Sequence, residues 1–302
     1  MFLAIFAGKG FLPSMKFLGF AIVILGVFLG YTLGGGHMAV ILEAIPFEGM
    51  TICGAAIGAF IIANPVHVIK ATIKNLDCLK KAEVYSKDDY VEMLCVLYSL
   101  FKLTRTKGWL ALESHIEQPE DSELFKRFPG FHANHHAVIF LCDYLRIISL
   151  GNENPYQIDA LMDEEIETLT QEKMHPCHSV QTMADGVPAL GIVAAVLGVI
   201  KTMGSITEPP EVLGRMIGGA LVGTFLGVFL SYGFVGPIAG ALGVKGQSEI
   251  LYYRCMKVCV IAYLNGAAPQ VAVEFARKFL PHDVQPGFIE LEEKLNELPP
   301  PS

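Results

Sequence analysis

Two prolines and two hydroxyls carry the chemistry that this sequence suggests. Pro188 lies in the apolar run from Thr182 to Gly204, and Pro237 in the run from Leu213 to Gly243, which also holds Thr224 and Ser231 seven residues apart near one helical face. Proline removes a backbone hydrogen bond and bends a helix, so two prolines at similar depth in oppositely directed helices would form a belt able to flex. Hydroxyls inside a membrane line a path or bond back to their own helix. A proton carrier there is normally Asp, Glu or His, yet neither run has a carboxylate at its middle, and Glu43, Glu48, His67 and Asp185 are expected at or beyond the ends of spans. The residues therefore suggest half of an ion-conducting machine whose acid comes from a partner.

These residues need membrane helices to position them. About twenty apolar residues cross a bilayer. Besides the two runs above, Phe17–Gly34 and Met50–Val66 qualify, giving four crossings. Hydrophobic residues make up 52% of the 302-residue chain and charged residues only 17%, with a mean hydropathy of +0.47, in keeping with an integral membrane protein. The first connection, Gly35 to Gly49, has no Lys or Arg, whereas the long stretch from Lys70 to Lys173 is rich in both. That asymmetry puts the stretch and both termini on the cytoplasmic side. The expected fold is an all-α integral membrane protein with four transmembrane helices, a large cytoplasmic helical insert between spans two and three, and a helical cytoplasmic tail. Its boundaries are residues 1–14 (an appendage or upstream start), 15–70 (spans one and two), 71–183 (the insert), 184–245 (spans three and four) and 246–302 (the tail).

Within the insert, Val91, Leu94, Cys95, Tyr98, Phe101 and Leu103 recur at helical spacing between Asp88 and Leu103, and further helices are expected over Trp109–Ile116, Ala137–Ile148 and Tyr156–Glu172. The acidic run Asp163, Glu164, Glu165 and Glu167 reads as a solvated face. Gly219, Gly223 and Gly227 repeat every four residues, leaving one helical stripe almost bare so that a neighbouring helix can approach closely.

Several functions find no support in the sequence. No basic stripe marks a nucleic-acid partner, despite the net charge of -8 being uninformative about the membrane part. No phosphate-cradling glycine loop or spaced nucleophile and base marks an enzyme. The seven scattered cysteines read as reduced apolar residues. His175, Cys177 and His178, and likewise His132, His135 and His136, lack a matching second half for a metal, so no cofactor is expected.

The ordered motifs Gly186-Val-Pro-Ala-Leu-Gly-Ile-Val-Ala-Ala-Val-Leu-Gly198, Val222-Gly-Thr-Phe-Leu-Gly227 and Tyr232-Gly-Phe-Val-Gly-Pro237 resemble the flagellar stator family of MotA. So do Met162-Asp-Glu-Glu-Ile-Glu-Thr168, Ala272-Val-Glu-Phe-Ala-Arg-Lys278 and Phe288-Ile-Glu-Leu-Glu-Glu293, and the resemblance runs from about Met15 to Leu295. It implies a ring of five chains in the bacterial inner membrane around a single-span, peptidoglycan-binding MotB-like partner whose aspartate is the proton carrier, with torque delivered to the rotor protein FliG. It further implies rotor contacts at Arg105, Glu113 and Glu165, conformational prolines at Pro188 and Pro237, and a channel-lining Thr224. Sodium-using relatives carry a threonine seven residues after the first proline; here that position is Ala195, which favours protons over sodium. An energiser of envelope transport resembling ExbB or TolQ, and a self-sufficient transporter, are the alternatives. Four spans and the insert motifs argue against the first, and the acid-free mid-membrane against the second.

Overall fold

The computed structural model describes residues 12–80, 84–151 and 153–299. Most of the 1–14 appendage, residues 1–11, lies outside the described residues. Among the described residues there is no strand. The helices are α1 (Leu12–Leu33), α2 (Met38–Ala63), α3 (Val66–Asn75), α4 (Lys87–Lys107), α5 (Glu113–Glu117), α6 (Glu123–Lys126), α7 (Pro129–His132), α8 (His135–Ser149), α9 (Pro155–Met203), α10 (Pro210–Leu230), α11 (Gly236–Leu264), α12 (Pro269–Phe279) and α13 (Phe288–Asn296). The described residues also form two 3-10 turns, Leu76–Leu79 and Trp109–Leu112, and one π-turn, Ser231–Val235. The chain divides into two compact units, residues up to 83 with 174–246, and residues 84–173 with 247–302.

The first unit contains the membrane helices. Among the described residues, four helices are long and apolar enough to cross a bilayer, within Met15–Leu33, Met38–Ala63, Pro155–Met203 and Pro210–Leu264. Span two therefore begins at Met38 and not at Met50. Pro46 lies inside α2, because one missing hydrogen bond does not stop a helix whose neighbouring bonds remain, and Glu43 meets Arg215 at 3.7 Å. The connection shrinks to residues 34–37, where Gly35 has φ +82 and a Cβ on Gly36 would lie 2.4 Å from the Tyr31 ring. After the spans, Lys16 Nζ donates to the Cys78 carbonyl at 2.6 Å and Lys245 Nζ to Asp77 at 2.7 Å, so the segment through the first 3-10 turn belongs with the membrane helices and not with the insert. Helix α9 also differs from expectation. Tyr156–Glu172 and the third span form one helix of 49 residues that accommodates both Pro176 and Pro188.

The second unit is built around α4. Ser86 and Asp89 form a capping box at its start, with the Asp89 carboxylate accepting from Ser86 N at 2.7 Å. Met93, Leu94, Val96, Leu97, Leu100 and Phe101 are fully buried, since α4 is enclosed on nearly every side and is apolar all round in its middle. Phe101 stacks on Tyr263 at 4.2 Å, Tyr85 on Tyr252 at 4.1 Å, and Trp109 meets Tyr263 edge-on at 5.8 Å. In the tail, buried Arg277 donates to Glu274 and to the Pro286 carbonyl, which ties α12 to the approach of α13. This gives the Ala272–Lys278 motif a structural role.

Candidate functional site

In the first unit the site is the crossing of α9 and α10, positioned by what the glycines leave out. A Cβ on Gly227 would lie 2.7 Å from Gly191 Cα and 3.1 Å from the Val187 carbonyl oxygen, and one on Gly191 would lie 2.8 Å from the Gly223 carbonyl oxygen. Further along, a Cβ on Gly223 would lie 2.9 Å from the Ala195 nitrogen, and one on Gly198 2.6 Å from Ala220 Cβ. The two backbones are in direct contact over two turns, which only glycine permits. Gly219 is different: its Cβ would make an ordinary 3.9 Å contact with Ala44 of α2. Ala195 sits at the crossing and presents no hydroxyl.

Aromatic rings hold α10 from its other side. Phe28 of α1 meets Phe225 and Phe229 edge-on at 6.1 and 5.5 Å, and Phe20 stacks on Phe234 at 5.4 Å. Below the crossing the Ser231 hydroxyl, buried, donates to the Ala184 carbonyl on α9 at 2.7 Å. Here the π-turn Ser231–Val235 widens the helix just before Pro237, whose ring nitrogen cannot donate to a helical carbonyl. The two hydroxyls therefore differ. Ser231 is used in an interhelical bond, whereas half-buried Thr224 makes no hydrogen bond among the described residues, although Thr51, Thr182 and Thr202 all bond back to their own helices.

The same contacts correct the depth of the prolines. Val187 lies level with Gly227, Ala184 with Ser231, and Cys177 Sγ is 3.0 Å from a Cβ position on Gly243. Pro237 is thus level with the region of Val180, about two turns or ~11 Å along α9 from Pro188. The two prolines do not share a level, because the helices cross with an offset set by the glycine contact.

The sequence reading also missed Glu48. With α2 starting at Met38, Glu48 lies well inside the span, half-buried, and its carboxylate oxygens approach the Cβ positions of Gly198 at 3.6 Å and Gly223 at 3.0 Å. It borders a cleft of about 390 Å³ shared with Lys201, Thr202 and Arg215. The available signal was the uninterrupted apolar background around Glu43, Pro46 and Glu48, which contains no cluster of turn residues.

In the second unit the expected rotor-facing residues separate into two kinds. Arg105, in the last turn of α4, and Glu113, the first residue of α5, are exposed, and neither forms an ion pair among the described residues; Gly108, at φ +82, and the Trp109–Leu112 turn lie between them. Glu165 is engaged. The buried Tyr144 hydroxyl donates to it at 2.6 Å, and burial, followed by that bond and charge, pushes the Tyr144 pKa far up. Asp163 is engaged too, with Lys257 Nζ at 2.5 Å and at 2.8 Å from Asp159. Burial works against the Lys257 charge, but the two carboxylates outweigh it and raise its pKa. All four acidic side chains of the run are exposed, so it is the solvated face expected, with Asp163 and Glu165 also holding partners in the unit.

The histidine groups are equally mixed. Glu120 supplies a partner absent from the linear pattern, lying 2.9 Å from His135 Nδ1 and 3.6 Å from His132 Nε2. Among the described residues no three His, Cys, Asp or Glu side chains are arranged to hold a metal, and all seven cysteines are free thiols.

A family model described as Motility protein A N-terminal matches residues 17–108, and one described as the MotA/TolQ/ExbB proton channel family matches residues 133–254. Motility protein A of Salmonella typhimurium is 42% identical over 285 residues, covering 94% of this chain and 96% of that protein, and that of Escherichia coli is 42% identical over 284 residues with the same coverage. Chemotaxis protein LafT of Vibrio parahaemolyticus is 33% identical over 282 residues, covering 93% and 98%. Among solved structures, the flagellar MotAB stator complex of Bacillus subtilis matches with a TM-score of 0.67 at 25% identity, covering 88% of this chain and 95% of that one. The MotAB structure of C. jejuni matches with a TM-score of 0.70 at 21% identity, covering 89% and 96%. With two family models spanning most of its length and relatives this similar along nearly all of it, the chain belongs to the motility protein A family of flagellar stator proteins, within the MotA/TolQ/ExbB proton channel family.

Proposed function

We propose that this chain sits in the bacterial inner membrane with both termini cytoplasmic and forms a ring of five around a single-span MotB-like partner. Inward proton flow through the complex is converted into torque on the rotor protein FliG. The observation that carries this reading is the α9–α10 crossing. Its backbones touch, Thr224 makes no hydrogen bond among the described residues, and neither helix brings a carboxylate of its own; the one acid of this chain described at its border, Glu48 of α2, lies against Gly198 and Gly223, so the crossing can present the Thr224 hydroxyl to an acid brought by a partner. The partner's aspartate supplies that acid. Ala195 at the crossing favours protons, since a sodium ion needs oxygen atoms to replace its water and a methyl offers none. The chain carries no catalytic step.

Arg105 and Glu113, both exposed and without an ion pair among the described residues, are charges available to a rotor surface, where complementary charge gives orientation and fast encounter more than tight binding. Charge reversal by Arg105→Glu is expected to lower swimming speed while leaving proton flux unchanged, and a compensating reversal on the rotor should restore speed. Failure of every rotor reversal to compensate would remove Arg105 from the contact.

The primary test is the fall in cytoplasmic pH after an external acid jump in cells making this chain alone, with an aspartate-bearing partner, or with an asparagine variant of that partner. Acidification only with the aspartate partner is expected. Conduction by the chain alone would transfer the carrier role to its own acids, Glu48 first, and would replace this reading with a self-sufficient transporter.

A further inference from the structure

One cavity of the first unit, about 480 Å³, lies between the end of α2 and the face of α9 that carries His175, His178 and Thr182. Its depth is fixed by a hydrogen bond. The Ser179 hydroxyl donates to Asn64 Oδ1 at 2.6 Å, and Asn64 is the cap that follows Ala63, the last residue of α2, so the two histidines stand at the edge of the spans. The Asn64 amide is oriented by donating to the Phe60 carbonyl at 2.8 Å. His175 and His178 are three residues apart on one helical face, both exposed, and neither ring makes a hydrogen bond or ion pair among the described residues.

Among the described residues that line the cavity, the two rings are the only titratable groups. From α2 it is lined by apolar side chains and Asn64, and from α9 by hydroxyls, apolar side chains and the two imidazoles; no Lys, Arg, Asp or Glu lines it. The nearby charges of α9 and α11 are engaged: Asp185 with Gln181 at 2.8 Å, Lys173 with Glu249 at 2.6 Å, and Lys245 with Asp77 at 2.7 Å. Polar groups that face hydrocarbon are costly, whereas polar groups gathered on a cavity of this size, with room for several waters, are stabilised by solvent.

We infer that His178 and His175 form the cytoplasmic proton port of the channel, an inference that rests on the proton-conducting reading above. His178 lies ten residues from Pro188 along α9, about 15 Å at the helical rise. A cavity water that carries a proton released above gives it to one ring nitrogen, the imidazolium forms, and the other ring nitrogen releases a proton to cytoplasmic water. One proton enters and one leaves, and only N–H and O–H bonds change. Imidazole suits the step because it takes up and releases protons within the physiological pH range. The rate of proton exit accordingly depends on cytoplasmic pH and falls as the rings stay protonated.

The test uses the full chain with its aspartate-bearing partner in vesicles, with a pH dye reporting flux while the pH on the cytoplasmic face is stepped. The double variant His175→Asn/His178→Asn is expected to lose about tenfold in flux, less than the roughly 10²–10⁴-fold typical of positioned acid–base groups because cavity water still conducts in parallel. It should also lose the dependence on cytoplasmic pH, and millimolar imidazole added to that face should restore the flux. The single variant His178→Glu should keep flux and move its pH dependence to more acid values. A double variant with wild-type flux and pH profile, at equal membrane abundance and partner retention, overturns the port, as does a lowered flux that imidazole leaves unchanged. Absence of proton flux in the wild-type complex would instead bring down the parent reading and the port with it.

Discussion

The two units of this chain use helices of the same kind and hold them together by opposite means. In the first, the helices that matter meet where side chains are missing, at Gly191, Gly198, Gly223 and Gly227, while large apolar side chains such as Ile22, Leu25 and Ile62 point outward and stay exposed. In the second, Tyr90, Phe101, Phe125 and Phe131 are at most 1% exposed and fill the centre. The difference follows from the solvent. In water, burying an apolar side chain stabilises by roughly 25 cal/mol per Å² removed from solvent. In lipid that gain disappears, and association depends on how closely backbones and small side chains can approach. A side chain that stabilises one unit would therefore disrupt the other.

Single substitutions separate the two ways of holding helices together. The largest effect is expected in the second unit, where Phe101→Ala removes a fully buried ring stacked on Tyr263 and should cost about 3–5 kcal/mol. Hydrogen exchange on the full chain should show the loss in α4 and α12, with the α9–α10 crossing unchanged. A loss below about 1 kcal/mol would mean that large side chains are not what holds this unit. An intermediate effect is expected in the first unit from the reverse change. Gly227→Ala adds one methyl against Gly191 and should cost about 1–3 kcal/mol. Gly214→Ala, in the same helix but with nothing within 4 Å of the added carbon, should be neutral or slightly stabilising. Thermal stability in detergent and retention of the partner distinguish the pair, and equal behaviour of the two variants would refute the contact.

The units also differed in how legible they were. The α4 stripe and the helix over Ala137–Ile148 could be read directly, because in water a buried face repeats with the helical period and Gly108 and Gly151 punctuate the ends. The membrane helices gave their number but not their ends or their register. Apolar residues continue past the places where Glu43 and Glu48 seemed to stop α2, and Pro176 did not interrupt α9. The glycine repeat showed that a close approach existed, but its partner, Gly191, and the resulting offset of Pro188 from Pro237 depend on another helix and have no local signature. Tyr144 with Glu165, and Lys257 with Asp159 and Asp163, were hidden for the same reason: each pair joins residues at least 21 apart.

A change of pH should act on the second unit and leave the crossing of the first unchanged, with a modest effect. In the second unit, His115 Nδ1 lies 2.8 Å from the hydroxyl of buried Ser122, which in turn accepts from Phe125 N at 3.4 Å to start α6. Burial first, and then the positive charges of Arg127 and Lys107, hold the His115 pKa below its ordinary value of 6.5. The unfolded chain therefore takes up a proton near pH 6.5 that the folded chain refuses until the pH is lower. As the pH falls below 6.5 the unfolded state binds more protons, so stability is full above that value and declines until the folded ring also titrates. Hydrogen exchange of residues 122–126, corrected for intrinsic rates, should show protection lost between pH 7.5 and pH 5.5, roughly the window around an ordinary imidazole. His115→Gln should flatten that slope while keeping a group able to bond Ser122. Amides beside the Phe28–Phe229 contact in the first unit, where neither partner titrates, should show no corresponding slope. A slope that survives in His115→Gln would assign the pH dependence to other groups of this unit.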